Sequence, residues 1–114
     1  MKPFYVEDLD RIPEDAVRLD VRTPEECQRG MIPGFINIPL DSLRERLDEL
    51  DAEREVYITC QIGLRGYLAQ RILEQHGFRT WNLVGGYRLY DMMQKDLDAM
   101  AAVAGMCTEC GKEI

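Results

Sequence analysis

The chain has 114 residues, 46% of them hydrophobic and 31% charged, with 21 acidic against 14 basic side chains and a net charge of −7. That is the length of one domain, with apolar content enough for a core of its own. The acidic balance excludes the basic face that non-specific nucleic-acid binding needs, and the apolar runs are too short to cross a membrane.

Val17 to Asp20 reads as a short strand. Thr23, Pro24 and Glu26 then supply a cap, a proline at the first helical position and an acid three residues after the cap, which together start a helix. Gly30 ends it, Ile32-Pro33-Gly34 signals a turn, and Phe35 to Pro39 is extended. Asp41 or Ser42 caps a further helix with Leu43, Leu47 and Leu50 on one face. Glu55 to Thr59 is a second buried-strand pattern, and it runs straight into Cys60. A helix follows, with Leu64, Leu68, Ile72 and Leu73 as its expected buried stripe and Gly77 as its stop. Thr80 to Leu83 is another strand, Val84-Gly85-Gly86 a turn, and Tyr87 to Lys95 a helix. From Asp96 the composition drifts towards Ala and Met, so the division expected is a domain over 1–95 and a helical tail over 96–114 that carries Cys107 and Cys110.

Strands alternating with helices imply an α/β fold, about five strands in a mainly parallel sheet with helices on both faces. Ligands bind such sheets beyond the carboxyl ends of the strands. Three loops should meet there: Asp20 to Arg22, Cys60 to Arg65, and Gly85-Gly86. A cysteine between a strand end and a helix start faces backbone N–H groups and a helix dipole that favour an anion, and the thiolate is the reactive form of cysteine. Cys60 is therefore the candidate nucleophile. His76, the single histidine, stands at a predicted helix end, which argues against a Cys–His pair. Four cysteines make no disulfide framework for a domain of this size, and no basic-then-apolar leader is visible, so a cytoplasmic location is expected. Cys27 fits core packing or a resolving thiol. Cys107 and Cys110 fit a plain tail, a sulfur or redox relay, or half of a shared metal site, being two ligands short of a structural zinc centre. No metal site is expected within the chain itself.

Two ordered motifs carry a family resemblance: Leu19 to Glu26 with Gly30 to Pro39, and Cys60 to Gly66 with Leu83 to Tyr87. The chain resembles the rhodanese (sulfurtransferase) domain. In flavour it is similar to the rhodanese domain fused to flavin-dependent coenzyme A disulfide or persulfide reductases. Met31 and Gly66 depart from that pattern, where the family commonly has His and a Ser or Thr. The resemblance implies that Cys60 takes sulfane sulfur as a persulfide, with no other cofactor, and passes it to a thiol acceptor. It implies that the backbone N–H groups of Gln61, Ile62, Gly63, Leu64 and Arg65 cradle the anion. Arg65 adds a positive charge with Asp20 as the partner expected to orient it, and Arg22 has a structural role. The implied partners are a low-molecular-weight or protein persulfide donor, a thiol acceptor and a flavin-dependent reductase domain, with no nucleic acid and no membrane. Related phosphatases use a loop one residue longer. The four residues between Cys60 and Arg65 favour sulfur over phosphate, and the uncharged Gln61, Ile62 and Leu64 disfavour free thiosulfate as donor. A non-enzymatic carrier or docking module is the alternative.

Overall fold

A computed structural model describes the backbone of residues 2–111 and the side chains of residues 2–100. Five strands form one sheet: β1 (Lys2–Phe4), β2 (Val17–Asp20), β3 (Ile36–Asn37), β4 (Glu55–Thr59) and β5 (Arg79–Leu83). Their order is β1-β5-β4-β2-β3, and every pair is parallel. The register sets Leu19 beside Ile58, Asp20 beside Thr59, and Tyr57 beside Trp81. The α-helices among the described residues are α1 (Pro24–Gln28), α2 (Leu40–Leu43), α3 (Leu64–Gln75) and α4 (Gly86–Gly111).

Side chains alternate across a strand, so each one feeds two cores. Val17, Leu19, Val21, Val56, Ile58 and Cys60 face a cluster with Leu43 of α2 and with Ala69, Ile72 and Leu73 of α3. Phe4, Tyr57, Trp81 and Leu83 face the other, with Ile32, Phe35 and the α4 residues Tyr87 and Tyr90. Helices therefore cover both faces, as a parallel sheet requires.

Three expectations change. β1 and the 3-10 turn at Val6–Arg11 precede the first predicted strand. Three residues with Pro3 among them give no periodic signal, and an edge strand tolerates the proline. The predicted helix over Leu43, Leu47 and Leu50 is the four-residue α2, begun after Pro39, followed by a separate 3-10 turn at Leu47–Glu49. All three leucines still reach the core, so the pattern reported burial correctly and helix length incorrectly. The α3 stripe is also rotated: Leu64 and Leu68 are exposed, and the buried face is Gly66, Ala69, Gln70, Ile72 and Leu73. A glycine and a glutamine disguise that face. Gln70 is tolerated there because its amide donates to Thr80 Oγ1 and the Lys2 carbonyl, each at 3.2 Å. α4 crosses the 95/96 boundary without a break; the side chains of Cys107 and Cys110 lie outside the described residues.

Candidate active site

Cys60 follows the last residue of β4, next to the crossover into α3, and its side chain is fully buried. Gly63 is the residue that turns the loop. It caps α3 with φ of +115°, a conformation that only glycine adopts without strain, and its N–H donates to Cys60 Sγ at 3.0 Å. The start of α4 holds the loop from the other side. Tyr87 N donates to the Cys60 carbonyl at 2.7 Å and Arg88 N to the Gln61 carbonyl at 3.0 Å. In a trans peptide the C=O and N–H point opposite ways, so the N–H groups of Gln61 and Ile62 are turned away from α4. Gly86 makes this approach possible: a Cβ there would run into the Cys60 carbonyl and lie 2.7 Å from that of Gln61. On the α3 side, Asn82 Nδ2 donates to the Gly63 carbonyl at 3.1 Å.

Two ion pairs flank the loop. Arg65 forms a bidentate pair with Glu26, Nη1 to Oε1 at 2.6 Å and Nη2 to Oε2 at 2.9 Å. The same Glu26 closes the cap of α1, taking Thr23 N at 3.1 Å while Thr23 Oγ1 accepts from Glu26 N. The Arg65 guanidinium holds the Glu26 carboxyl down to about 2, and Glu26 in turn pushes Arg65 further up. The second pair is buried: the Arg22 guanidinium donates to both oxygens of Asp20, with Nη2 to Oδ2 at 2.8 Å. Arg22 also donates to the Gly30 carbonyl at 2.7 Å, reaches Gln61 Oε1 at 3.4 Å, and lies 4.1 Å from the Tyr87 ring centre. One guanidinium thus ties the α1 turn, the cysteine loop and α4 together. Beside the loop, a cavity of about 550 Å³ is lined by Arg22, Glu26, Arg29, Gln61, Tyr87, Asp91 and Lys95.

A model of the family described as "Rhodanese-like domain" matches residues 6–92. The chain belongs to the rhodanese-like domain family. A sulfurtransferase of Allochromatium vinosum is 40% identical over 74 residues, covering 64% of this chain and 69% of that protein. The thiosulfate sulfurtransferase PspE of Escherichia coli is 33% identical over 72 residues, covering 61% and 69%. Among solved structures, reduced Bacillus anthracis CoADR-RHD is similar at 46% identity and a TM-score of 0.75, over 79% of this chain. The rhodanese-like domain here spans 16% of that longer chain.

The three loops do meet at one rim of the sheet, as the contacts from α4 and from Arg22 show. Of the five N–H groups expected to face the cysteine, that of Gly63 donates to Sγ. Asp20 is not the partner of Arg65. Parallel alternation turns Asp20 into the opposite layer, where Arg22, two residues on, folds back over it. Arg65 instead takes Glu26, which the sequence marks only as a capping acid. Arg22 is buried. Gly86 belongs to the Gly85-Gly86 turn expected at this rim, whereas no signal in the sequence marks Asn82. His76 ends α3, its Nδ1 2.8 Å from the Ile72 carbonyl, twelve helical residues away from the loop. Cys27 is half-buried, and burial, then the Asp20 carboxylate, push its thiol up to about 11. The departure at Gly66 has a structural account: a Cβ there would strike the Asn82 side chain, which fills the space a serine or threonine would take. Among the described residues, no helix is long and apolar enough to cross a membrane.

Proposed function

We propose that the chain is a rhodanese-type sulfurtransferase in which Cys60 carries sulfane sulfur as a persulfide. The observation that carries this reading is the glycine-turned loop that points a backbone N–H at Cys60 Sγ, 3.0 Å away, at the start of α3. In the first step the Cys60 thiolate attacks the outer sulfur of a donor R–S–SH. The Cys–S bond forms, the donor S–S bond breaks, and R–S⁻ leaves. In the second, an acceptor thiolate attacks the outer sulfur of Cys60–S–SH, takes it as R′–S–SH, and returns Cys60 as thiolate. Neither step changes the overall redox balance or needs a histidine base. The loop N–H groups and the α3 dipole stabilise the anion at each stage.

Donors of the thiol-persulfide class suit the site better than thiosulfate. Gln61, Ile62 and Leu64 bring no charge, and Ile62 and Leu64 form an exposed apolar entrance. The likeness to CoADR-RHD, higher than that to the thiosulfate enzyme, supports the same choice and a reductase domain as partner. A thiolate carrier of this kind suits a reducing cytoplasm. A relay through Cys107 and Cys110 would extend the path and lies outside the described side chains.

The test is intact mass after incubation with glutathione persulfide. The wild type should gain one sulfur atom that dithiothreitol removes, and Cys60→Ser should gain none. Absence of the gain with glutathione persulfide, coenzyme A persulfide and thiosulfate alike would overturn the reading. A pure carrier module would load sulfur yet show no catalytic turnover with donor and cyanide together.

A further inference from the structure

Three of the cations around the cysteine loop are spent on carboxylates, while Arg29 and Arg88 are exposed and, among the described residues, have no ion pair. Asp20 takes Arg22, Glu26 takes Arg65, and Asp91 takes Lys95 at 2.9 Å. Arg29 lies on the exposed outer wall of the adjacent cavity. The Arg65 pair matters most, because Arg65 belongs to the cysteine loop, at the start of α3. Both of its Nη atoms are bonded to one carboxylate in parallel, the strongest geometry for such a pair. The carboxylate is held from behind by the Thr23 cap, so it cannot swing away without opening α1.

We propose that Glu26 sets the donor class of the site: its clamp on Arg65 cancels the one charge of the cysteine loop itself that would draw in dianionic thiosulfate, leaving a loop suited to thiol persulfides. This rests on the sulfur-transfer reading above. The two donors differ in charge at the reacting end. Thiosulfate brings two negative charges to the Cys60 thiolate; its sulfane sulfur joins Cys60, its S–S bond breaks, and sulfite leaves with the charge. A thiol persulfide brings at most one. Glu26 touches neither donor, and is therefore a positioning residue acting through Arg65.

The experiment compares wild type, Glu26→Gln and Thr23→Ala with thiosulfate and with glutathione persulfide, cyanide being the common acceptor. Glu26→Gln keeps the shape and one acceptor but frees the Arg65 charge. Its ratio of kcat/KM for thiosulfate to that for glutathione persulfide should rise about tenfold, chiefly through a lower KM for thiosulfate. Thr23→Ala removes Oγ1 but keeps the backbone N–H that holds the Glu26 carboxylate on Arg65, so the ratio should stay at the wild-type value. In the wild type, thiosulfate turnover should be flat or rise between about 0.05 and 0.5 M salt, since screening has no attraction to remove. An unchanged ratio in Glu26→Gln would overturn the proposal. So would a steep fall of wild-type thiosulfate turnover with salt, and that measurement decides the matter even if Glu26→Gln fails to fold. Failure of Cys60 to gain sulfur from either donor would instead sink the sulfur-transfer reading beneath it.

Discussion

Glu26 closes a helix cap and clamps an arginine with one carboxylate, so its protonation touches both. Its folded value of about 2 lies below the usual 4.5. A depressed carboxyl stabilises the fold above its unfolded value and loses that contribution as pH falls through the folded one. The window is thus from about 4.5 down to about 2. The shift alone would correspond to about 3 kcal/mol, and the partial exposure of both side chains reduces this to about 1–2 kcal/mol. Denaturant titrations at stepped pH should show the wild type losing that much more stability across the window than Glu26→Gln. Equal losses would mean the pair contributes nothing to folding. Asn82 is the other residue whose role is new. Its bond to the Gly63 carbonyl anchors the turn that aims an N–H at Cys60, while its Oδ1 is buried without a partner. Asn82→Ala should cost about 1 kcal/mol in chemical denaturation, and it should slow persulfide formation on Cys60 more than that small loss explains. Unaltered loading kinetics would show that the Gly63 turn holds itself.

At the level of elements, the cysteine loop is gripped between two helix starts. α3 begins at its glycine turn, and α4 uses its first N–H groups to hold the Cys60 and Gln61 carbonyls. A helix start has N–H groups with no partner inside the helix, and here the loop supplies the acceptors. Gly86, at φ of +60°, sits against those carbonyls. Gly86→Ala should therefore push the loop off its position and lower sulfur transfer at least tenfold, read as kcat/KM with glutathione persulfide, while circular dichroism retains the helical signal. Wild-type kinetics in that variant would mean that the loop does not depend on α4. α3 offers a second test of which face is inside. Leu73→Ala should lower stability by about 2–5 kcal/mol, whereas Leu68→Ser, on the exposed face, should change it by less than about 0.5 kcal/mol. The stripe read from periodicity assigned both leucines to the core; the actual face carries Gly66 and Gln70, whose polarity or smallness hides them from a hydrophobic count.

For the whole molecule, strand order decides what meets what. β4 lies at the centre between β2 and β5, so the loops after these three strands open on the same rim. That is how Arg22 from the first third of the chain can reach Gln61 and stack on Tyr87. The edge strand β1 completes the sheet beside β5, and Phe4 packs edge-on against Tyr57 with ring centres 5.2 Å apart. Phe4→Ala should cost about 3–5 kcal/mol and lower the thermal midpoint, although the site is untouched, because it opens the core beneath β5. A midpoint within a degree or two of wild type would show β1 to be dispensable.

The amino-acid sequence by itself determined the α/β class, β2, β4, β5 and their helices, Cys60, the glycine turn after it and the loop length, because these depend on neighbours within a few residues. Alternation, caps and glycines are local rules. Only the tertiary structure decided which acid meets Arg65, since Asp20 and Glu26 both stand in the first motif, far from Arg65 in the chain, and the pleat of β2 sends Asp20 to Arg22 instead. It also decided that Asn82 and Gly86 serve the loop. Those contacts join residues some twenty positions apart through the sheet, and no local pattern carries the register that brings them together.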